Sequence, residues 1–329
     1  MRKWLTVICA FSLLLVTACS GNTDQINTSK NEASSERTIT IKDAYGKQTI
    51  KGTPENIVVL EWFYAAHLLT LGIQPAGVAD VDGFSKWVST KTELAESVQD
   101  VGTRQEPNLE AISRANPDLI IAAKFRHEQI LDRLKDIAPV VTFAPYSKEA
   151  QKNLYQEMVN EFKTVSKIVD KEKEAEQEIA DLNQFYKKQK QRIKDAGLLG
   201  SKYIACLAFS SQNSPILRLY TDNSIVVQVM NRLGLKNAYH SDQVEQYGFT
   251  KANVAALQNY QEEDLHFFYI VQEDDNIFEN QLKGNPVWEN LSFVKAGNTH
   301  HLPGDTPVFG GISSMKILAE RIVDSIVKE

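Results

Sequence analysis

Cysteine is scarce, with three in 329 residues. Cys9, Cys19 and Cys206 are too few and too far apart for a disulfide framework or a thiolate metal cluster. Beyond residue 18 no apolar run approaches the ~18 to 20 residues needed to cross a bilayer. Basic tracts are also missing, and the formal net charge is -6, which argues against a nucleic-acid partner. There is no Gly-x-Ser-x-Gly elbow, no glycine-rich phosphate loop and no dinucleotide fingerprint, so no catalytic residue is assigned and an enzyme is not expected. The histidines, His67, His127, His240, His266, His300 and His301, show no strong metal-ligand spacing. Adjacent His300 and His301 would point oppositely on a strand, so a direct zinc or manganese receptor is the weaker reading.

The chain begins with Arg2 and Lys3, an apolar core from residue 4 to 16, and Val16-Thr17-Ala18 before Cys19. That is a signal peptide over residues 1–18. The residues before Cys19 resemble a bacterial lipobox, which implies a lipid on Cys19, an extracytoplasmic membrane-anchored protein, and a mature chain of net charge -8 once Arg2 and Lys3 are removed. Residues 19–37 are polar and nearly free of apolar side chains, and are expected to form a disordered tether.

From residue 38 onward, strand and helix patterns alternate. Residues 38 to 41 and 48 to 50 flank Ala44-Tyr45-Gly46-Lys47, a hairpin pattern. Short apolar strands are expected at 57 to 60, 76 to 79, 119 to 122 and 140 to 143, with a helix from 63 to 71 stopped at Gly72. Residues 148 to 194 contain neither proline nor glycine and read as helix. A second run of alternation covers 202 to 209, 226 to 233, 267 to 271 and 317 to 327. The expected fold class is α/β, two lobes with mainly parallel sheets covered by helices: a first lobe over 38–147, a connecting helix over 148–170 and a second lobe over 171–329. Cys206, inside the apolar run 203 to 209, reads as a small core residue.

The most informative stretch is 101 to 126, where Arg104 and Arg126 flank a helix opened by Pro107-Asn108 and a buried strand. A loop, helix, strand and loop in that order put both arginines at one rim of a sheet, and guanidinium forks match carboxylate oxygens. Ligands of open parallel sheets bind outside the carboxyl ends of the strands. Glu61-Trp62-Phe63-Tyr64, residues 80 to 87, Lys124-Phe125-Arg126 and a polar loop ending at Arg218-Leu219-Tyr220 all fall there.

Val101-Gly102-Thr103-Arg104, Pro107, Leu109-Glu110-Ala111-Ile112, Pro117 to Ile121, Arg126-His127 and Ile137 to Val140 resemble the iron-siderophore substrate-binding proteins of ABC importers, especially the ferric-citrate-binding type. The resemblance implies the siderophore-type periplasmic-binding-protein fold, with a long rigid connecting helix that restricts the lobes to small hinge motions. It implies a ferric chelate as cargo, iron(III)-citrate favoured, with a citrate-based hydroxamate siderophore as the alternative, no cofactor and no direct metal ligand. It places Arg104, Arg126, Arg218, Trp62, Tyr64, Tyr220 and Phe309 on the ligand. The implied partners are the permease and its ATPase, docked by a protein that is monomeric beforehand. Glu110 matches one docking glutamate, while Ala255 stands where the second is expected.

Overall fold

A computed structural model describes residues 37 to 327. The signal peptide, Cys19 and residues up to 36 lie outside the described residues. Arg37, placed in the tether by its sequence, is instead fixed: its guanidinium donates to the carbonyls of Lys167 at 2.5 Å and Ile168 at 3.2 Å and pairs with Asp170 at 3.1 Å.

The chain opens with an antiparallel hairpin, β1 (Thr38–Asp43) and β2 (Gly46–Lys51). The first sheet comprises β3 (Ile57–Val59), β4 (Gly77–Val78), β5 (Gln99–Asp100), β6 (Leu119–Ala123) and β7 (Val140–Phe143), ordered β5-β4-β3-β6-β7 and wholly parallel. Every residue of β3, β6 and β7 is buried, as expected of strands covered on both faces. Connecting helices are α1 (Trp62–Thr70), α2 (Val81–Trp87), α3 (Leu109–Arg114), α4 (Lys124–His127) and α5 (Leu131–Lys135). Asn108 caps α3 by accepting from the Glu110 and Ala111 amides, and Asn116, at φ 48°, turns the chain ahead of Pro117.

Residues 148 to 194 are not one helix. They contain α6 (Leu154–Ile168) and α7 (Glu172–Asp195), interrupted at Asp170, whose φ is 58°. Aspartate tolerates that left-handed conformation, and Arg37 takes the carbonyls that the end of α6 leaves unpaired. Tyr155 early in α6 lies 6.5 Å from Tyr186 late in α7, so the two helices run antiparallel.

The second sheet is mixed. It contains β8 (Lys202–Ser211), β9 (Ser214–Tyr220), β10 (Lys236–Asn237), β11 (Phe249–Ala252), β12 (His266–Val271) and β13 (Thr299–Pro303), in the order β11-β9-β8-β12-β13 with β10 beside β8. Strands β8, β12 and β13 are parallel, but β9 and β11 are antiparallel additions. The expected polar loop after residue 209 is a hairpin, because Gln212 and Asn213 both adopt positive φ and turn β8 straight back into β9. Helices α8 (Ile225–Arg232), α9 (Ile277–Asn280), α10 (Pro286–Glu289), α11 (Ser292–Lys295) and α12 (Ile312–Ile326) complete the chain.

One apolar cluster runs through both halves: Tyr64 and Leu68 of α1, Phe162 of α6, Leu182 of α7, Val229 of α8 and Leu318 of α12 all belong to it. The outer faces of the two sheets bury separate clusters around Ile120 and Phe267. Helix α12 packs on α7, α8 and the first-half helix α1, where Thr70 and Ser313 hydroxyls meet at 2.9 Å. His300 and His301 lie on β13 and stack on Phe268 and Tyr269 respectively, and Cys206 is buried in β8.

Candidate functional site

A cleft of about 890 Å³ opens where the ends of both sheets face each other. Arg104 reaches it from the loop after β5. Gly102, at φ 91°, makes that loop possible, since a Cβ there would meet the Asn108 amide at 2.8 Å. The Arg104 guanidinium lies on the Trp62 ring, 3.3 Å from its centroid, and the Trp62 indole N–H donates to the carbonyls of Ala79 and Asp80 at 3.2 and 3.0 Å. Asp80 also stands 3.6 Å from Arg104 Nε.

Arg126 projects from α4, which starts directly at the end of β6. Its Nε donates to Glu61 Oε1, while Glu61 Oε2 faces Arg104 Nη1 at 3.7 Å. Glu61 occupies the N-cap position of α1 and is fully buried. Burial pushes its carboxyl above the ordinary value even though the charges of Arg126 and Arg104 pull it down. His127 ties the same parts together: its Nδ1 accepts from the Ala123 amide at 3.0 Å, which leaves Nε2–H to donate to the Arg104 carbonyl at 2.9 Å. Burial lowers the His127 pKa to about 4, so the ring is neutral.

Across the cleft Arg218 lies on β9, in register with Leu207 of β8 and Lys251 of β11. Phe209 and Phe249 flank it, their ring centroids 4.8 and 4.9 Å from its Cζ. Among the described residues no carboxylate pairs with Arg218, and its buried Nε has no hydrogen-bond partner. One rim is closed by a chain of rings, Phe125 to Tyr146 at 4.9 Å, Tyr146 to Tyr247 at 4.8 Å and Tyr247 to Phe249 at 6.2 Å. At another edge Lys86 reaches Asp274 at 2.9 Å, and Ser89 donates to Asp305, which Arg321 also holds at 2.9 Å.

Five of the seven residues expected on the ligand therefore meet in one cleft: Arg104, Arg126, Arg218, Trp62 and Phe309 all line it. Tyr64 and Tyr220 do not. Tyr64 follows Trp62 and Phe63 on α1, and successive helical residues rotate by about 100°, so its ring turns inward against Phe63 and Phe143. Tyr220 shares the face of Arg218 but lies one pleat deeper along β9, in the core. Glu110 is exposed in the first turn of α3, and Ala255 is exposed in a short 3₁₀ turn over Val254–Asn259. Tyr146, Tyr247 and Phe249 were missed, and Glu61 was placed at the strand end without being assigned to the ligand. Glu61 lies two residues beyond β3, at the strand end where a ligand-facing group is expected.

The family described as "Periplasmic binding protein" matches residues 57–306. The Fe(3+)-citrate-binding protein YfmC of Bacillus subtilis is 30% identical over 318 residues, covering 95% of this chain and 93% of the relative. The probable siderophore-binding lipoprotein YfiY of the same organism is 30% identical over 346 residues, covering 100% of this chain and 99% of that one. The crystal structure of the Vibrio cholerae siderophore-binding protein FhuD, bound to Fe3+-Desferal, superposes with a TM-score of 0.74 at 29% identity, covering 83% of this chain and 98% of that one. By its match over most of its length, the chain belongs to the periplasmic binding protein family, among the iron-siderophore substrate-binding proteins of ABC importers.

Proposed function

We propose that the protein captures iron(III)-citrate, or a close polycarboxylate chelate of iron(III), between its two sheets and delivers it to a permease and its ATPase. The observation that carries this reading is the trio of guanidiniums facing one cleft, two on one wall and Arg218, without a carboxylate partner among the described residues, on the other. Carboxylate oxygens of a chelate match those forks, and the Trp62, Phe209, Phe249 and Phe309 rings give its organic arms apolar surface. Among the described residues no three His, Cys, Asp or Glu side chains converge as a metal site, which supports a cargo that brings its own donors. The exposed Glu110 is the proposed docking contact on the first half; Ala255 offers no carboxylate for the second. A lipid on Cys19 would hold the protein at the extracytoplasmic face, where it would be monomeric until it docks. No described helix is long and apolar enough to cross a membrane.

A second reading, a citrate-based hydroxamate siderophore, is favoured by the ring chain from Phe125 to Phe249, more apolar surface than citrate alone would cover. Tryptophan fluorescence separates the two, since Trp62 and Trp87 line the cleft. Ferric citrate is expected to quench it at lower concentration than a ferric hydroxamate, and zinc not at all. Quenching by the hydroxamate at far lower concentration would reverse the order, and quenching by zinc alone would refute both.

A further inference from the structure

Glu61 is an acid in a place that should repel an anionic cargo. It lines the cleft, is fully buried, and stands between the two guanidiniums on which the proposed chelate would dock. Its two oxygens are unequal: Oε1 takes the Arg126 Nε–H, while Oε2, also buried, has no hydrogen-bond partner and only the Coulombic contact with Arg104. With Asp80 beside Arg104, the first-half cluster carries two positive and two negative charges. A polyanion that engages both arginines thus brings its charge against a buried carboxylate whose own compensation it takes over. The other groups around Glu61 cannot relieve this. Tyr64 of the same helix and Tyr146 after β7 are neutral phenols, His127 is a neutral imidazole held by two backbone groups, and Arg218, Lys86 and Asp274 stand elsewhere along the cleft.

We propose that Glu61 is a proton-accepting counter-ion: as a carboxylate it positions Arg104 and Arg126 in the ligand-free protein, and when an anionic chelate docks on them it takes a proton from solvent onto Oε2. The proton removes the buried negative charge beside the anion, and the positive charge of the two forks is released to the ligand. Burial already holds the Glu61 carboxyl above its ordinary value, against the pull of Arg126 and Arg104. Glu61 acts through the arginines, as a positioning residue. This inference rests on the anionic chelate proposed above.

Calorimetric titration with iron(III)-citrate in buffers of different ionisation enthalpy counts the protons taken up. Uptake of up to a proton is expected in the neutral range, with affinity falling by as much as about tenfold for each rise of a pH unit. Glu61→Gln should abolish the uptake and flatten the pH profile, while the cationic iron(III)-desferrioxamine B complex should take up no proton with either protein. Binding of iron(III)-citrate with no proton uptake in wild type overturns the inference and leaves the proposed cargo standing. Failure of iron(III)-citrate to bind overturns the cargo instead, and then a ligand-free arm decides on Glu61. A carboxyl whose folded pKa is raised contributes stability that is present at acid pH and lost as pH rises through that value. The melting temperature of wild type relative to Glu61→Gln should therefore fall as pH rises above the ordinary glutamate range. A difference independent of pH overturns the titrating role whatever the cargo.

Discussion

The two walls of the cleft hold their arginines by different physics. On the first wall Arg104 and Arg126 share the buried Glu61, with Asp80 and the Trp62 face completing the cage. On the second, Arg218 is held by two phenylalanine rings, with no described carboxylate paired to it. The first arrangement fixes direction at the expense of net charge. The second keeps the whole charge and fixes direction through ring packing alone. An anion entering the cleft would meet an oriented but neutralised pair on one side and an uncompensated cation on the other.

If that contrast is right, Arg218→Ala has the largest effect on binding. Its charge is not offset by any described acid, so ferric-citrate affinity should fall by about 3 kcal/mol, the upper range for a hydrogen bond to a charged group. Arg104→Ala and Arg126→Ala should each weaken binding by about 2 kcal/mol, less because Glu61 and Asp80 already offset part of their charge. An order in which Arg104→Ala exceeds Arg218→Ala would break the comparison. Phe249→Leu sharpens it: loss of one stacked face should weaken binding by about 1 kcal/mol without altering thermal stability to the same degree. The last effect concerns pH and stability rather than binding. Burial lowers His67 to about 3 and His127 to about 4, so the stability they contribute is present above the unfolded histidine value and lost as pH falls towards the lowered ones. Melting curves of wild type should drop through that window, and His127→Gln should drop less.

The contrast also tracks what was legible in the sequence. The first wall was readable because its parts are local: Asn108 caps α3, Pro117 follows its end, and β6 runs straight into α4, which carries Arg126 three residues past the strand. The second wall was not. The stretch from residue 210 to Arg218-Leu219-Tyr220 read as a polar loop, yet Gln212 and Asn213 form a tight turn, and β9 gains its identity only by pairing with β8 and β11. Arg218 was therefore found by resemblance, while its partners Phe209 and Phe249 were not. The break at Asp170 depends on Arg37, more than 130 residues earlier in the chain. Tyr64 and Tyr220 were misplaced because sequence adjacency to the rim says nothing of which way a side chain turns.

The central claim is that opposed arginines grip an anionic ferric chelate, and a calorimetric titration of the ligand-free protein with iron(III)-citrate tests it most directly when repeated on Arg126→Ala and Arg218→Ala. The account predicts saturable binding in wild type, weakened in both variants and more so in Arg218→Ala. Unchanged affinity in both variants would contradict it.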